Sequence, residues 1–512
     1  MFKKLMNILT SKPAIVAMLI LVQLIVLGSV VFTLSEYFIT FYFFLLFLSV
    51  VMSIYVINKD DNPNYKMTWV MCIMSFPVFG GLLYLLFGGK KVPKELRVRD
   101  YFSQRDISDI LGQEHRILDD LKEHDPAAHK QARYVWKNAH FPIYDHTETT
   151  YFKVGEEKFT ALLQELKQAK RYIFLEYFII QEGKMWNAVL DILKAKVQAG
   201  VDVRLMYDDA GCIFKLPKDY DKTLRAYGIK TKVFNPIEPR LAMQMNNRDH
   251  RKIVVIDGVV GFTGGINLAD EYININSPYG HWKDVGVMLK GAAVWNFTLM
   301  FLQFWNYDEK IKDDYLSYQP DPAFCENMRN DGYVQPFSDS PTDSEHVGEY
   351  SHINMINGAN RYVYATTPYL VIDNEMKTAL TLAARNGVDV RILVPHIPDK
   401  WYVFAVTRAN YQPLIEAGVK IYEYTPGFVH GKTFVVDDDM AVVGTVNMDY
   451  RSYYLHYECG VWFYRSKVVM DVKQDYLHSL AKSHEVTLEE CKNVKLPVRI
   501  MRSILNLFSP MM

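Results

Sequence analysis

Apolar residues crowd the start of the chain in three uncharged runs and then settle into short alternating blocks. Residues 14–34 and 37–57 are each 21 positions long without a charge. At 1.5 Å rise per residue such a helix reaches about 30 Å, the thickness of a bilayer's hydrocarbon core. Both runs therefore predict transmembrane helices, joined by Ser35 and Glu36 in a tight hairpin. Lys3, Lys4 and Lys12 precede the first run like the basic leader of a cleaved signal. The apolar stretch is too long for one, however, and no small-x-small cleavage site precedes a soluble start. The third run, 67–89, contains Pro77 and Gly80-Gly81, so it either spans or dips in and returns. Basic residues lie before the first run and again at Lys90, Lys91, Lys94, Arg97 and Arg99. Two spans plus a re-entrant or interfacial third segment keep both clusters on the cytoplasmic side, and that arrangement is preferred.

Beyond residue 150 the period changes. β-Branched runs of five to eight residues alternate with helical segments of 12–15, the signature of α/β domains with largely parallel sheets. The pattern also repeats. Arg171-Tyr-Ile-Phe-Leu returns as Arg361-Tyr-Val-Tyr-Ala, Ala199-Gly-Val-Asp-Val-Arg as Asn386-Gly-Val-Asp-Val-Arg, and Leu224-Arg-Ala-Tyr-Gly-Ile-Lys as Leu414-Ile-Glu-Ala-Gly-Val-Lys. Two copies of one unit follow. The Gly before each Val-Asp-Val-Arg ends a helix and leads into a strand. The expected organisation is a membrane anchor over 1–90, a connector over 91–150 with charged helix-like stretches such as 109–124, a first copy over 151–320 and a second over 345–495. The polar, Pro/Asp/Ser-rich stretch 309–350 marks the boundary between copies. An amphipathic tail over 496–512 sets Arg499 and Arg502 among Ile500, Ile504, Leu505, Leu507 and Phe508. It suits a bilayer interface, or equally core packing against the last domain.

Each copy ends in the same motif. The first reads His250-Arg-Lys252-Ile-Val-Val-Ile-Asp257 and, six residues on, Gly264-Gly-Ile-Asn267; the second reads His430-Gly-Lys432-Thr-Phe-Val-Val-Asp437 and then Gly444-Thr-Val-Asn447. In a strand, residues two apart share a face, so each His projects with its Lys, and parity puts Asp257 and Asp437 on the other face. Asp257 opens an Asp-Gly turn and suits turn geometry better than substrate contact, although both Asp residues belong to the candidate catalytic set. A paired imidazole and ammonium, present twice, suits phosphodiester chemistry. One His attacks phosphorus, the other protonates the leaving alkoxide, and the Lys residues hold the non-bridging oxygens. That chemistry calls for no metal and no cofactor. A nucleophilic imidazole needs an acceptor on its other nitrogen. Asp284 in Trp282-Lys-Asp-Val-Gly-Val and Glu458 in His456-Tyr-Glu-Cys-Gly-Val occupy matching places and are the candidate partners.

Charge and cysteine content narrow the partners. Residues 1–100 hold ten Lys/Arg against five Asp/Glu, a net of +5, which leaves −6 on the rest of a chain whose total is −1. An acidic body argues against nucleic acid as a partner. The five cysteines, Cys72, Cys212, Cys325, Cys459 and Cys491, are odd in number and lack C-x-x-C spacing, as expected of packed free thiols rather than disulfides or a zinc site.

The paired H-x-K-x4-D-x6-G-x-x-N motifs resemble the phospholipase D superfamily. With the Phe-Pro-x-x-Gly-Gly of the third run and the Phe-Ser-Pro tail, the whole chain resembles its bacterial cardiolipin synthase family. The resemblance implies two tandem phospholipase D-like α/β repeats in a pseudo-two-fold pair behind an α-helical transmembrane region, in a multi-pass protein of the bacterial cell membrane. It implies a phosphohistidine intermediate that takes a phosphatidyl group from phosphatidylglycerol, releases glycerol, and passes the group to a second phosphatidylglycerol. Lys252, Lys432, Asn267 and Asn447 would line the phosphate site. His250 would be the nucleophile and His430 the general acid/base, in roles that symmetry makes nearly interchangeable. Two departures stand out: the position after the motif glycine, often Ser in the superfamily, is Gly265 in one copy and Thr445 in the other, and three amino-terminal hydrophobic segments replace the usual two. A phospholipase D-type hydrolase differs only in letting water resolve the intermediate, and a membrane-bound phosphodiesterase or nuclease is the more distant alternative.

Overall fold

The computed structural model describes residues 12–33, 38–77, 79–88, 107–108, 110–237, 247–307 and 312–511. Lys3, Lys4, the Ser35-Glu36 link, the basic cluster from Lys90 to Arg99 and Asp109 lie outside the described residues. The chain divides into two compact units, one made of residues 1–93, 237–245 and 507–512 and the other of 94–236 and 246–506.

In the smaller unit the first two apolar runs form helices Lys12–Thr33 and Phe38–Ile57. Among the described residues one helix, Ile39–Ile57, is long and apolar enough to cross a membrane, and Met18–Ser29 is a shorter apolar helix. The third run is not one helix. It breaks at Phe76-Pro77 into Pro63–Ser75 and Gly80–Phe87, of 13 and 8 residues. At 1.5 Å per residue these reach about 20 Å and 12 Å, too short to cross a hydrocarbon core. Asn62 caps the first by accepting from the Asn64 amide, with Pro63 at its first turn. The return is close because residue 80 is glycine: a Cβ there would fall 2.5 Å from Ile73 Cα and 2.6 Å from the Cys72 carbonyl oxygen. Tyr65, Trp69 and Tyr84 pack edge-to-face between the two short helices, and the Thr68 hydroxyl donates to the Leu507 carbonyl at 2.6 Å.

The larger unit holds both copies, each with a mixed sheet. The first sheet orders Thr147–Phe152, Gly286–Gly291, Val260–Gly264, Ile253–Ile256, Tyr172–Tyr177, Asp202–Asp208 and Lys230–Phe234. The expectation of largely parallel sheets is corrected: only the last three of these strands run parallel, and every other neighbour is antiparallel. The second sheet repeats this with Tyr333–Asp339, His456–Tyr464, Met440–Gly444, Thr433–Val436, Tyr362–Thr366, Asp389–Pro395 and Lys420–Tyr424, and adds Ser483–Glu485. The motif segment makes the antiparallel half, because an Asp-Gly or Asp-Asp turn folds each post-motif strand straight back. Each sheet also takes an edge strand, Thr147–Phe152 or Tyr333–Asp339, from a segment expected to be connector or boundary. Gly200 and Gly387 sit in the left-handed region after their helices, with φ of +85° and +94°, as helix-ending glycines before a strand.

The two copies exchange short strands at one seam. Arg248–Asp249, just ahead of His250, runs parallel to His456 and Tyr457 of the second copy. Gly427–Val429, just ahead of His430, runs parallel to His281–Lys283 of the first. Each histidine is therefore delivered against the other copy's carboxylate strand.

Candidate active site

Neither His-x-Lys segment lies in a strand. Residues 250–252 and 430–432 are extended links between the short exchange strands and the sheet strands that start at Ile253 and Thr433. The ladder anchors them on both sides: the His250 amide donates to the Tyr457 carbonyl at 2.9 Å, and the His430 amide to the Lys283 carbonyl at 2.6 Å. Backbone hydrogen bonds across the seam thus fix both imidazoles.

The candidate carboxylates are the partners of the imidazoles, but crosswise. His250 Nδ1 lies 2.9 Å and 3.0 Å from the two oxygens of Glu458, and His430 Nδ1 lies 2.6 Å from Asp284 Oδ2. Both carboxylates are fully buried and both histidines nearly so. Burial pushes the carboxyl pKa values up, but the facing imidazoles and, for Asp284, the Lys432 ammonium outweigh it, so both acids stay ionised. Burial lowers His250 to about 3 and His430 to about 4 against the pull of those same carboxylates. Each imidazole is thus held at Nδ1 by a carboxylate, which leaves Nε2 to face the chemistry.

Lys252 and Lys432 are buried beside them, each donating back to the carbonyl of its own motif histidine. Burial depresses them to about 8 and about 7. Asn267 accepts from the Ile179 amide at 2.9 Å and donates to the Tyr272 hydroxyl at 2.7 Å, so it braces the site. The buried Oδ1 of Asn447 has no hydrogen-bond partner. The carboxylates of Asp257 and Asp437 are spent on backbone amides. Asp257 accepts the amides of Lys170, Arg171 and Tyr172 at 2.7–2.9 Å, and Asp437 those of Asn360, Arg361 and Tyr362 at 2.6–2.9 Å. Both have φ of +55° and tie a turn to the start of the central strand.

Several residues of the site escape the motif. The Thr445 hydroxyl donates to Glu458, whereas at the matching Gly265 a Cβ would fall 2.1 Å from Asp284 Oδ1. Arg251, between the motif His and Lys, is fully buried and paired with Glu176 at 2.7 Å and Asp249 at 3.2 Å. Lys158 is 1% exposed, its ammonium has no hydrogen-bond partner, and its stem fills the space over Gly286, where a Cβ would meet Lys158 Cδ at 2.7 Å. Its amphipathic helix, Gly155–Gln168, gives no signal for it. By residue type His250, His456 and Glu458 could hold a metal, their donor atoms lying within 4.8 Å of one another. Glu458 is already committed to His250 and Thr445, and the adjacent lysines oppose a divalent cation. The arrangement favours an anion with a tetrahedral centre between two imidazoles.

Comparison with known proteins bears on the family of the chain. A family model described as cardiolipin synthase, PLD-like domain, matches residues 162–281 and 352–480, and a phospholipase D-nuclease N-terminal model matches 47–89. A cardiolipin synthase of Alkalihalophilus pseudofirmus is 36% identical over 492 residues, covering 94% of this chain and 93% of its own. One from Halalkalibacterium halodurans is 34% identical over 469 residues, with 90% and 92% covered. An uncharacterized protein of Streptococcus mutans is 44% identical over 462 residues, with 90% and 99% covered. Among solved structures, the phosphatidylserine synthase of Haemophilus influenzae shares the fold, with a TM-score of 0.55 at 13% identity over 75% of this chain and 98% of that one.

Proposed function

The chain belongs to the cardiolipin synthase family of phospholipase D-like proteins, and from that premise we propose that it joins two phosphatidylglycerol molecules through a phosphohistidine formed at the crosswise His–carboxylate pairs. It is a phosphatidyltransferase of the cardiolipin synthase type, acting on phospholipids and bound to a membrane. Nε2 of one imidazole attacks the phosphorus of the first lipid as the P–O bond to glycerol breaks and the other imidazolium gives its proton to the departing oxygen. The second lipid's hydroxyl then yields its proton to that same imidazole, its oxygen bonds to phosphorus, and the N–P bond breaks. The incoming phosphodiester anion offsets the burial that disfavours a charged imidazole, which lets one of them carry the proton. Lys252 and Lys432 balance the charge that builds on the non-bridging oxygens.

The observation that carries this reading is the reciprocal pairing of His250 with Glu458 and His430 with Asp284, which joins two half-sites into one. The helix Lys12–Thr33, apolar over most of its 22 residues, supports a second span beside Ile39–Ile57 and hence a multi-pass anchor. The test is incubation of the purified protein with labelled phosphatidylglycerol in mixed micelles. Cardiolipin and glycerol in equal amounts are expected; phosphatidic acid alone would mean that water resolves the intermediate. His250→Ala and His430→Ala are each expected to abolish turnover in a protein that stays folded and membrane-bound.

A further inference from the structure

The reaction is nearly symmetric at phosphorus, but the walls of the site are not. The exchange strands pair Phe428 with Trp282 on the His430 side and, in the same register, Arg248 with His456 on the His250 side. The Trp282 ring lies tilted at 5.3 Å from His430 and 4.8 Å from Phe428, with Tyr272 5.0 Å from that indole, so His430 faces an aromatic wall. In the place of that indole stands the ring of His456, 5.5 Å from His250. A third difference follows four residues after each motif Asn: Glu271 in the first copy, ion-paired with Lys215 at 3.5 Å, and Arg451 in the second.

Two of these residues are unsatisfied. The His456 side chain is 10% exposed and lies 3.8 Å from Glu458 Oε1, yet neither ring nitrogen makes a hydrogen bond. Arg451 stands in the short helix Tyr450–Tyr454 that leads directly into the strand begun by His456, its carbonyl accepting the Leu455 amide at 3.0 Å. Arg451 has no ion pair or side-chain hydrogen bond among the described residues, and its exposure is intermediate. The acids nearby are already engaged. Glu458 is held by His250 and Thr445, Asp449 caps its helix by accepting the Ser452 amide at 2.8 Å, and Asp208 faces Arg248 at 3.6 Å. A nearly buried imidazole with two open nitrogens, a few residues after an unpaired guanidinium, offers hydrogen-bond donors and charge to an anion.

We propose that His456 and Arg451 form a second anion subsite, which holds the phosphodiester of the acceptor lipid while that lipid's terminal hydroxyl reaches the reacting phosphorus. This rests on the phosphatidylglycerol reading above, because only an acceptor that is itself a phosphodiester brings a second anion. In that molecule the attacking oxygen and the retained phosphate are separated by one glycerol unit. Free glycerol as acceptor carries no such group. It regenerates phosphatidylglycerol by attacking the same phosphohistidine and needs only the catalytic pair.

The experiment compares two rates of the full-length protein in mixed micelles: formation of cardiolipin, and exchange of labelled glycerol into phosphatidylglycerol. In His456→Trp, which copies the first half of the site, and in Arg451→Gln, cardiolipin formation is expected to fall about ten-fold or more, the usual effect of losing a charge-assisted hydrogen bond, through a raised KM for phosphatidylglycerol. In both, glycerol exchange should fall much less than cardiolipin formation, and in Arg451→Gln it should stay within about two-fold. Arg451→Lys, which keeps the charge, should recover most of the loss. Equal loss of both rates in a folded variant would make these residues part of the common machinery, and an unchanged cardiolipin rate would remove them from acceptor binding; either overturns the subsite. A wild type that exchanges glycerol and yields no cardiolipin would instead overturn the reading on which it rests, and the subsite with it.

Discussion

Asp284 and Glu458 hold equivalent imidazoles, but the space behind each is filled differently. Asp284 backs onto Gly265, where no side chain fits, and accepts the Val285 amide at 2.8 Å. Glu458, one methylene longer, is met by the Thr445 hydroxyl and flanked by His456. Two residues further along each strand the stem of Lys158 packs over Gly286 in the first half, and the Phe337 ring packs over Gly460 in the second. The His, the Lys and the carboxylate appear twice; their supports appear once each. The chemistry needs two imidazoles at one phosphorus, whereas the supports answer only to local packing, so they diverge freely. Because each imidazole draws its carboxylate from the other copy, neither copy alone holds a working pair.

The equivalence of the two pairs is tested most severely by removing the carboxylate charge. Glu458→Gln and Asp284→Asn keep shape but spoil the tautomer and the stabilisation of the imidazolium, so each is expected to lower kcat/KM by about 10²- to 10⁴-fold. Steady-state rates with phosphatidylglycerol check this, with circular dichroism to show an intact fold. Comparable losses keep the halves equivalent. A large loss in one variant and almost none in the other would show that a single imidazole carries the reaction.

The divergent supports predict unequal responses at Gly265 and Thr445. In Gly265→Ala the new methyl meets Asp284 Oδ1 inside van der Waals contact, and the carboxylate must leave His430. A loss of about 100-fold in turnover is expected, of the size caused by misplacing a catalytic group. Thr445→Ala removes one hydrogen bond from a carboxylate that keeps both contacts to His250, and about a ten-fold loss is expected. The reverse order of the two rates would break the comparison.

Much of this contrast lies beyond sequence reasoning. The duplication, the two motifs and the two carboxylates were legible because each occurs twice in the same order. Their crosswise pairing was not, since it depends on short strands, Arg248–Asp249 and Gly427–Val429, whose partners lie about 150 to 210 positions away in the chain. The break of the third apolar run was signalled by Pro77 and Gly80, which forbid a continuous helix and permit a close return. Lys158 gave no sign, because a lysine on an amphipathic helix reads as solvent-facing and only the glycine opposite makes room for it. Parallel character was overestimated because alternating strand and helix periods describe only the first three strands of each copy, and the motif strands follow by turns.

The lysines set a smaller, pH-dependent difference. Burial lowers Lys158 and Lys252 to about 8 and Lys432 to about 7, against an unfolded value near 10.4. Between those limits the unfolded chain binds more protons at these lysines than the folded one, so their contribution to stability rises with pH from about 7 to about 10. Lys158→Met removes one such charge and is expected to raise stability at pH 7, by up to about 3 kcal/mol if the whole depression is recovered, while flattening the pH slope. Thermal melts across that range check both. The same depression predicts that kcat/KM, which reports the free protein, declines above about pH 7 to 8 as Lys432 and Lys252 lose their protons. The decline in kcat should come at higher pH, because bound phosphodiester favours the ammonium form.

The smallest effect on turnover is expected where the motif is most conspicuous. Asp257 and Asp437 belong to the signature yet each spends its oxygens on three backbone amides at the start of a central strand. Asp257→Asn keeps an acceptor but loses the charge that strengthens those bonds, at a cost of about 1–2 kcal/mol in stability. Turnover per folded molecule should stay within about two-fold, because no imidazole, carboxylate partner or ammonium of the site touches the residue. The measurement is a denaturant melt beside a rate normalised to folded protein, for Asp257→Asn and Asp437→Asn alike. Since the two turns share a φ of +55° and the same three-amide pattern, the two variants should agree with each other more closely than any other matched pair in the molecule. A turnover loss near that of Glu458→Gln, with stability unchanged, would return these carboxylates to the catalytic set.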